Sequence, residues 1–385
     1  MGGARRRRER ILVVKLATLG DMLTATPALR ALRASFPRAH IGVLATPGSA
    51  AVLRGLDSVD EVITFDKFAF DRPLDAMLGV PAALRFASAL RAGNWDTLVL
   101  LHHLTTRFGV AKYAALCLGS GARTRVGLDN GRGWWFLSAR ARDDGFGARH
   151  EADYWLEVVG VLGARHPGTP RLELALTADD AAWADAQWLT LGGRRDAVLL
   201  VPGSGAFSKA RRWAPERFVQ VGSRLQADHG LRPLVLAGVD PDEQSLAQQV
   251  ARNIGSWAAV VSQAPSPQAL GAFVRGCRLV VANDSGPVHV ATAVGTPVVS
   301  IFGPSNDRAW GPYPVGEAQH QVVREQVACA PCIHRGHEFG TPQGCEARTC
   351  LALVEPARVV AAAERALGGL SAPDIQARVG AGSRA

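Results

Sequence analysis

The 385 residues are enough for two domains with separate hydrophobic cores, and a composition of 48% hydrophobic and 20% charged residues is typical of a globular protein. No apolar run approaches the roughly 18 residues of a spanning helix, which excludes a chain that crosses the membrane. The net charge of +9 favours acidic partners: nucleotide-linked donors, phosphorylated glycolipids or an anionic membrane surface. Nucleic acid is not indicated, because no zinc-finger, helix-turn-helix or aromatic RNA-binding signature accompanies the charge.

Residues 1–10 include four consecutive arginines and predict a basic, disordered tail. The apolar run that follows resembles a signal peptide only superficially, because Lys15 interrupts it and Asp21 comes soon after. The sequence therefore favours a strand over 11–16 and a cytoplasmic protein. A peripheral position on the cytoplasmic face of the inner membrane is compatible with the basic charge.

Residues 11–175 predict a first Rossmann-like domain, an α/β fold with a parallel sheet, because short apolar runs alternate with helical periodicity. The predicted strands are 11–16, 40–45, 61–65 and 95–101, with helices over 22–35 and 81–91. His103 and Arg107 follow the last strand, at the carboxyl end where open sheets bind ligands. A polar contact to a substrate and plain surface are equally compatible with these residues. The arginine-rich stretch 123–149 is interpreted as a solvated loop.

The second half repeats the alternation after a predicted linker region over 176–195, which contains a helix over 179–191. Residues 196–354 predict a second Rossmann-like domain. Its predicted strands are 197–201, 234–237, 278–282 and 297–302. A helix over 355–369 is expected to pack back on the first domain, and residues 370–385 are expected to be disordered.

Polar residues that follow two of these strands are candidates for binding a phosphorylated ligand. Ser204 and Gly205 lie in a loop that can approach a phosphate closely, because glycine lacks a Cβ. Lys209 and Arg211 come soon afterwards, and Asp240 follows the next strand.

The stretch 282–304 has the order strand, tight turn, helix, strand, and it organises the second half. Asp284, Ser285 and Gly286 precede Pro287, which suits the first turn of a helix. A helix start at the end of a parallel strand presents free N–H groups and a partial positive charge, so it suits a phosphate. An ordinary βαβ turn is the alternative. His289, one turn further on, is compatible with a contact to the phosphorylated ligand and equally with a packing role.

Four clustered cysteines, Cys329, Cys332, Cys345 and Cys350, favour a metal over disulfides in a cytosolic protein. Thiolate ligation suits structural zinc or iron. His334 and His337 are alternative ligands, and disulfides or free thiols are the alternative interpretation.

Several motifs then resemble a known family: ILVVKL and LGD within 11–21, TPALRAL over 26–32, the stretch 283–304, and WGPY over 310–313. They are similar to glycosyltransferase family 9, the ADP-heptose:lipopolysaccharide heptosyltransferases, over roughly residues 11–367. The resemblance implies a GT-B fold, with two Rossmann-like, doubly wound domains facing across a cleft. It implies an inverting transfer of heptose from ADP-heptose to the lipopolysaccharide inner core, without a cofactor for catalysis.

The resemblance also implies roles for residues of the first domain. Asp21 corresponds to the family's proposed general base, which would take the proton of the attacking hydroxyl. The alternative is that Asp21 only caps the following helix. Thr18 and Gly20 beside it, with His103 and Arg107, are expected to bind the acceptor.

In the second domain the donor contacts depart from the family pattern at one place. Arg211 occupies the position of a family lysine, while Lys209 lies two residues earlier, so either could contact the donor. Asp240 is expected to bind the ribose, and a metal-binding Asp-x-Asp with Asp242 is the less favoured interpretation.

Some protein-modifying members of the family carry a four-cysteine iron site, which supports the metal interpretation and gives a protein hydroxyl as an alternative acceptor. A nucleotide-sugar epimerase or dinucleotide oxidoreductase is a second alternative, although the first strand-turn lacks G-x-G-x-x-G. A non-catalytic nucleotide-sugar-binding protein is a third, disfavoured by the intact Asp21 and Asp284.

Overall fold

The computed structural model describes residues 8–66, 80–205, 208–333 and 343–368, with the backbone alone for 80–85. The chain divides into two compact units, residues 1–170 and 171–385. The predicted disordered tail over 370–385 lies outside the described residues. The predicted amino-terminal tail ends earlier than expected, because Arg8 donates hydrogen bonds to the Arg38 carbonyl (2.6 Å) and to Asp60 (3.1 Å).

The first unit contains a six-stranded parallel sheet in the order β3-β2-β1-β4-β5-β6. Its strands are β1 Arg10–Lys15, β2 His40–Ala45, β3 Glu61–Thr64, β4 Thr97–Leu100, β5 Thr124–Asp129 and β6 Ala139–Arg142. Its helices are α1 Leu19–Leu23, α2 Thr26–Ser35, α3 Pro47–Ala50, α4 Val80–Ala92, α5 Arg107–Gly119 and α6 Glu151–Gly160. The stretch predicted as a solvated loop over 123–149 therefore contains the last two strands.

The order of this sheet reverses between β1 and β4. In register, Val13 lies opposite Val43 on one side and Val99 on the other. Both faces are covered, so β1 forms an almost continuous buried run, as expected for a parallel sheet. The reversal opens a crevice at the carboxyl ends of these two strands, which is where such folds bind ligands.

The second unit repeats the same topology in a six-stranded parallel sheet of order β12-β11-β10-β7-β8-β9. Its strands are β7 Ala197–Val201, β8 Arg232–Leu236, β9 Ala259–Val261, β10 Leu279–Asn283, β11 Val298–Ile301 and β12 His320–Val323. Its helices are α7 Ala178–Thr190, α8 Pro215–His229, α9 Pro241–Ile254, α10 Pro267–Arg275, α11 Gly286–Ala293, α12 Asp307–Trp310, α13 Thr349–Ala352 and α14 Pro356–Gly368. Here the order reverses between β7 and β10.

Two predictions about segment packing differ from the structure. The predicted linker 176–195 contains α7, and Ala184 and Trp188 of that helix lie in the core on one face of the second sheet. The carboxy-terminal helix α14 was expected on the first domain. Its apolar face instead lies in the core on the opposite face of the second sheet, beside α8. Both helices are amphipathic, and sequence periodicity does not identify the sheet that covers an apolar face.

None of the described helices is long and apolar enough to cross a membrane.

Trp213 tests how far the second core controls the stability of its unit. The side chain is 1% exposed, packs edge-on against Phe218 and donates its indole N–H to the Val354 carbonyl at 3.1 Å. We expect Trp213→Ala to lower the free energy of unfolding of this unit by about 3–5 kcal/mol, because it leaves a large cavity. Trp257, which is 62% exposed, provides the control. Denaturant unfolding checks both variants, and an equal effect of Trp257→Ala would contradict the interpretation.

Candidate active site

The carboxyl end of β1 leads directly into the segment that holds Asp21. Thr18 precedes α1, and its backbone N–H and hydroxyl both donate to Asp21 Oδ2, at 3.2 and 2.7 Å. Gly20 is buried, whereas Thr18 is exposed and Asp21 is half-buried. The helix-capping contact of Asp21 is therefore present. Its role as a base, and the acceptor contacts of Thr18 and Gly20, stay predictions.

Lys15 is a buried lysine beside this segment, to which the sequence interpretation gave no role in the site. Its side chain is only 3% exposed, and the ammonium group lies 3.9 Å from the centroid of the Trp155 ring. Burial lowers the pKa of Lys15, and the charges of Asp21 and Glu151 oppose that effect. A lysine at the end of an otherwise apolar strand was the available signal, because buried lysines need a partner.

His103 has a structural role that differs from its predicted contact with the acceptor. Its Nδ1 lies 2.9 Å from Asp143 and its Nε2 lies 3.0 Å from Glu151, so both ring nitrogens are bonded to carboxylates. The side chain is 4% exposed and packs against Phe146 and Tyr154. Both ring nitrogens are thus engaged by carboxylates, which does not favour the predicted acceptor contact of His103. That contact stays a prediction.

The pKa of His103 follows from this environment. Burial by itself would lower the pKa, but the hydrogen bonds and charges of Asp143 and Glu151 outweigh burial and raise it to about 9. His103 is consequently an imidazolium at neutral pH. Its positive charge compensates the buried carboxylates of Asp143 and Glu151.

Arg107 is the other predicted acceptor residue of the first unit. It is the first residue of α5 and is exposed, and Thr106 caps the helix by accepting from the Gly109 N–H at 3.0 Å. An arginine at a helix N-terminus is unfavourable towards the helix dipole. Its acceptor contact stays a prediction.

At the switch point of the second sheet, Asn283 and Asp284 hold the segment that follows β7. The Asn283 side chain accepts from the Trp213 N–H at 3.0 Å and donates to the Pro202 carbonyl at 2.7 Å. Asp284 Oδ2 accepts from Arg211 at 3.1 Å, and this pair is largely buried. The predicted anion site is thus built around a buried ion pair.

The helix α11 begins where the sequence predicted it, with Ser285 as the N-cap and Gly286 and Pro287 in the first turn. The Ser285 hydroxyl donates to the Asn283 carbonyl at 2.9 Å instead of capping the helix. His289 is buried. The contacts of Ser285, Gly286 and His289 with a donor stay predictions.

The structure distinguishes Lys209 from Arg211. Lys209 is exposed and pairs with the exposed Asp242. Arg211 is largely buried and donates to the Ser204 carbonyl at 2.6 Å as well as to Asp284. Arg211 is therefore the residue that the fold holds at the switch point.

Glu243, the third residue of α9, is a second buried charge that sequence reasoning missed. Its Oε1 accepts from the backbone N–H groups of Ser204 (2.7 Å) and Gly205 (2.8 Å) and from Arg212 (2.9 Å). The N–H groups of Ser204 and Gly205 thus donate to a carboxylate of the protein itself. The predicted close approach of this loop to a phosphate stays a prediction. The available signal was Glu243 three residues after Asp240, with Pro241 between them, a spacing typical of the start of a helix.

Asp240 caps α9, since its Oδ1 accepts from the Glu243 N–H at 2.9 Å. The ribose contact of Asp240 stays a prediction. The less favoured Asp-x-Asp metal site finds no support, because Asp242 pairs with Lys209.

The four cysteines lie close enough to influence one another. Burial raises the pKa of Cys350, and electrostatic interaction with the neighbouring Cys332, Cys345 and Cys329 raises it further. However, Cys350 belongs to the apolar core, whereas Cys329 and Cys345 are exposed. Within the described ranges no group of three or more His, Cys, Asp or Glu side chains is placed to hold a metal ion, so the structure does not support the metal prediction. His334 and His337 lie outside those ranges.

Comparison with known proteins identifies the family. The sequence profile of glycosyltransferase family 9 (heptosyltransferase) matches residues 83–341. The chain belongs to glycosyltransferase family 9. It is therefore a transferase, as the motifs at its two ends implied.

Individual relatives of family 9 agree in sequence and in fold. The chain is 23% identical over 315 residues to the lipopolysaccharide core heptosyltransferase OpsX of Haemophilus influenzae, covering 79% of this chain and 81% of that protein. A family 9 glycosyltransferase structure from Veillonella parvula superposes with a TM-score of 0.72 and 24% identity, covering 94% and 98% of the two chains. The ADP-heptose lps heptosyltransferase II of E. coli superposes with a TM-score of 0.69 and 18% identity, covering 93% and 98%. The GT-B class with two Rossmann-like units is thereby confirmed.

His103 gives the first unit a pH-dependent stability that can be measured. Its pKa of about 9 in the folded protein lies above the unfolded value of about 6.5. The contribution, of the order of 3 kcal/mol, is therefore fully present below about pH 6.5 and is lost as the pH rises through about 9. We expect His103→Gln to be destabilised most at low pH and to give a flatter curve of unfolding free energy against pH. His229→Gln, on an exposed pair with Glu364, is the control. Parallel curves for wild type and His103→Gln between pH 6 and pH 9.5 would refute the assignment.

Proposed function

We propose that this protein transfers a heptose from ADP-heptose to a hydroxyl of the lipopolysaccharide inner core, with inversion at the anomeric carbon and without a metal. Membership of family 9 supports the type of reaction, and the names of the relatives support the donor and the acceptor. The observation that carries the proposal is the buried pair of Arg211 and Asp284 at the start of α11. It puts a fixed cation beside a helix N-terminus, which suits a diphosphate leaving group.

The second unit would bind the donor through charge. The leaving ADP gains negative charge as the glycosidic bond breaks, and preorganised donors stabilise that charge without a metal ion. Arg211 supplies a planar fork of N–H donors that matches phosphate oxygens. The start of α11 at Ser285 and Gly286 supplies backbone N–H groups and the helix dipole. Its first turn, Gly286–His289, has no acidic residue in its sequence to oppose an anion.

Asp240 and His289 complete the proposed donor contacts. Asp240 follows β8, and its carboxylate could accept bonds from the ribose hydroxyls while it caps α9. His289 lies one turn into α11, on the helix that we assign to the diphosphate.

The first unit would supply the base and the acceptor contacts. An inverting transfer is a single displacement, so one carboxylate must take the proton of the acceptor hydroxyl as that hydroxyl attacks. Asp21 fits this role because Thr18 holds its Oδ2 through two hydrogen bonds. A carboxylate near the sugar also stabilises positive charge in an oxocarbenium-like transition state. Thr18, Gly20 and Arg107 are the proposed acceptor contacts.

The acceptor chemistry favours action in the cytoplasm, at the inner face of the inner membrane. A lipopolysaccharide core carries anionic groups on a lipid anchor, and the net charge of +9 suits both that acceptor and an anionic surface. Arg107, exposed at the start of α5, is the contact that we propose for such an anionic group.

Asp21→Asn tests the base. We expect the rate of heptose transfer to fall by about 10²- to 10⁴-fold, because the amide cannot accept the proton. The Kd for ADP should stay within about twofold of wild type, since Asp21 belongs to the acceptor side. Mass detection of the glycosylated acceptor, in buffer with EDTA, measures transfer, and calorimetry measures ADP binding. Asp57→Asn, on the exposed surface of the same unit, is the control. An equal loss of transfer and ADP affinity would count against the assignment.

Arg211 and Lys209 test the donor side as a pair. We expect Arg211→Ala to weaken ADP binding by about 10- to 100-fold, because it removes a charge-assisted contact and leaves Asp284 without its buried partner. Lys209→Ala should change the Kd by less than about threefold, because Lys209 is exposed and screened by solvent. Calorimetric titration with ADP measures both constants. A larger effect of Lys209→Ala would reverse the assignment.

A further inference from the structure

Glu243 is enclosed at the switch point of the second sheet. The residue is 5% exposed, and a single oxygen, Oε1, accepts from Ser204, Gly205 and Arg212 within 2.9 Å. Two of these donors are backbone N–H groups of the loop after β7, and the third is a guanidinium. A buried carboxylate with this set of donors is held in one position.

The loops on both sides leave room for this carboxylate. A Cβ on Gly203, after β7, would lie 2.7 Å from Oε1 of Glu243, and a Cβ on Gly238, after β8, would lie 2.0 Å from Oε2. Neither glycine has a positive φ, so backbone conformation does not explain the missing side chains. Close approach of Glu243 does explain them. The carboxylate is therefore a built part of this site.

The bonds of Ser204 connect Glu243 to Arg211. The Ser204 N–H donates to Glu243, its hydroxyl accepts from Arg212 at 3.3 Å, and its carbonyl accepts from Arg211 at 2.6 Å. Arg211 in turn bonds Asp284. Two arginines, Arg211 and Arg212, therefore lie between two carboxylates, Asp284 and Glu243. Ser204 bonds both arginines and Glu243, and so connects the two ion pairs.

We propose that Glu243 is a positioning residue of the donor site: it fixes the Ser204–Gly205 loop and Arg212, and through Ser204 it orients Arg211 towards the donor diphosphate. The proposal rests on the proposed function of the second unit as the binding site for an ADP-sugar. It also assigns phosphate recognition to Arg211 and the start of α11. The N–H groups of Ser204 and Gly205 serve Glu243 and not the ligand.

The first experiment compares Glu243→Ala, Glu243→Gln and the control Glu216→Gln. Glu216 is also a first-turn glutamate of a helix that starts with proline, but it is exposed. Glu243→Ala is expected to raise the ADP Kd and the donor KM by about 10- to 100-fold, because misplaced binding groups carry penalties of that size. Glu243→Gln keeps an oxygen for the two N–H groups and should fall between Glu243→Ala and wild type.

The acceptor KM should stay within about twofold in all three variants, because Glu243 acts only on donor contacts. Glu216→Gln should match wild type in every constant. A folded Glu243→Ala that retains wild-type ADP Kd and donor KM would overturn the proposal, and so would an equal rise of donor and acceptor KM. Calorimetry and steady-state kinetics on the full chain supply these values.

The second experiment needs no ligand and separates this inference from the proposed function. Gly203→Ala should lower the thermal unfolding midpoint in the wild-type background, because the new Cβ meets the Glu243 carboxylate. In the Glu243→Ala background the same substitution should have little effect, because the space is then open. If the two substitutions lowered the unfolding midpoint additively, the proposal that Glu243 fixes this loop would be overturned. If the wild-type protein did not bind ADP, the proposed function would be refuted. The non-additive effect of the two substitutions on the unfolding midpoint would still show that Glu243 holds the loop after β7.

Discussion

Charge buried at the carboxyl ends of parallel strands is the constraint on which both halves of this protein depend. A charge that leaves water destabilises a fold by several kcal/mol unless a partner and hydrogen bonds compensate it. The protein meets that requirement at the switch point of each sheet, where strand order reverses and a crevice forms. The second unit uses Arg211 with Asp284 and Arg212 with Glu243. The arginines that we propose for binding an anionic substrate therefore also compensate the buried carboxylates of this crevice.

In the first unit the compensation extends towards the proposed base. Asp143 and Glu151 flank His103, Glu151 also acts on Lys15, and Lys15 acts on Asp21. These five groups form a row of interactions, in which the protonated His103 lies between two carboxylates and Lys15 interacts with both Glu151 and Asp21. Removing one internal member would leave a neighbour uncompensated, so its effect would spread along the row. The charge of Asp21 is in this way linked through Lys15 and Glu151 to the buried His103.

The sequence predicted what depends on local pattern. Buried runs such as 11–16 and 197–201 marked the central strands, and the turn at Ser285–Gly286 marked the start of α11. Strands β5, β6, β9 and β12 escaped prediction. β6, β9 and β12 have only three or four residues and so carry a short apolar signal, and β5 lies in the arginine-rich stretch. Partners far apart in the chain escaped as well. His103 bonds residues 40 and 48 positions away, and Glu243 bonds Ser204 from 39 positions away. From composition, Asp143 was interpreted as part of a solvated, arginine-rich loop. In the structure its side chain is buried against the imidazole of His103.

The contacts of Arg211 explain why an arginine suits this position, where the resemblance implied a lysine. One guanidinium nitrogen donates to Asp284 while another donates to the Ser204 carbonyl, so a single side chain joins α11 to the loop after β7. A lysine ammonium is a compact point charge and does not offer two separated donors in a fixed plane. The neighbouring Arg212 bonds Ser204 and Glu243 in the same manner. Two adjacent arginines thus bind the loop after β7 to two carboxylates, Asp284 in the turn before α11 and Glu243 in α9. Lys209 lies at the surface and pairs with Asp242. A lysine at position 211 could keep the charge opposite Asp284, but it would release the Ser204 carbonyl and with it the connection to Glu243.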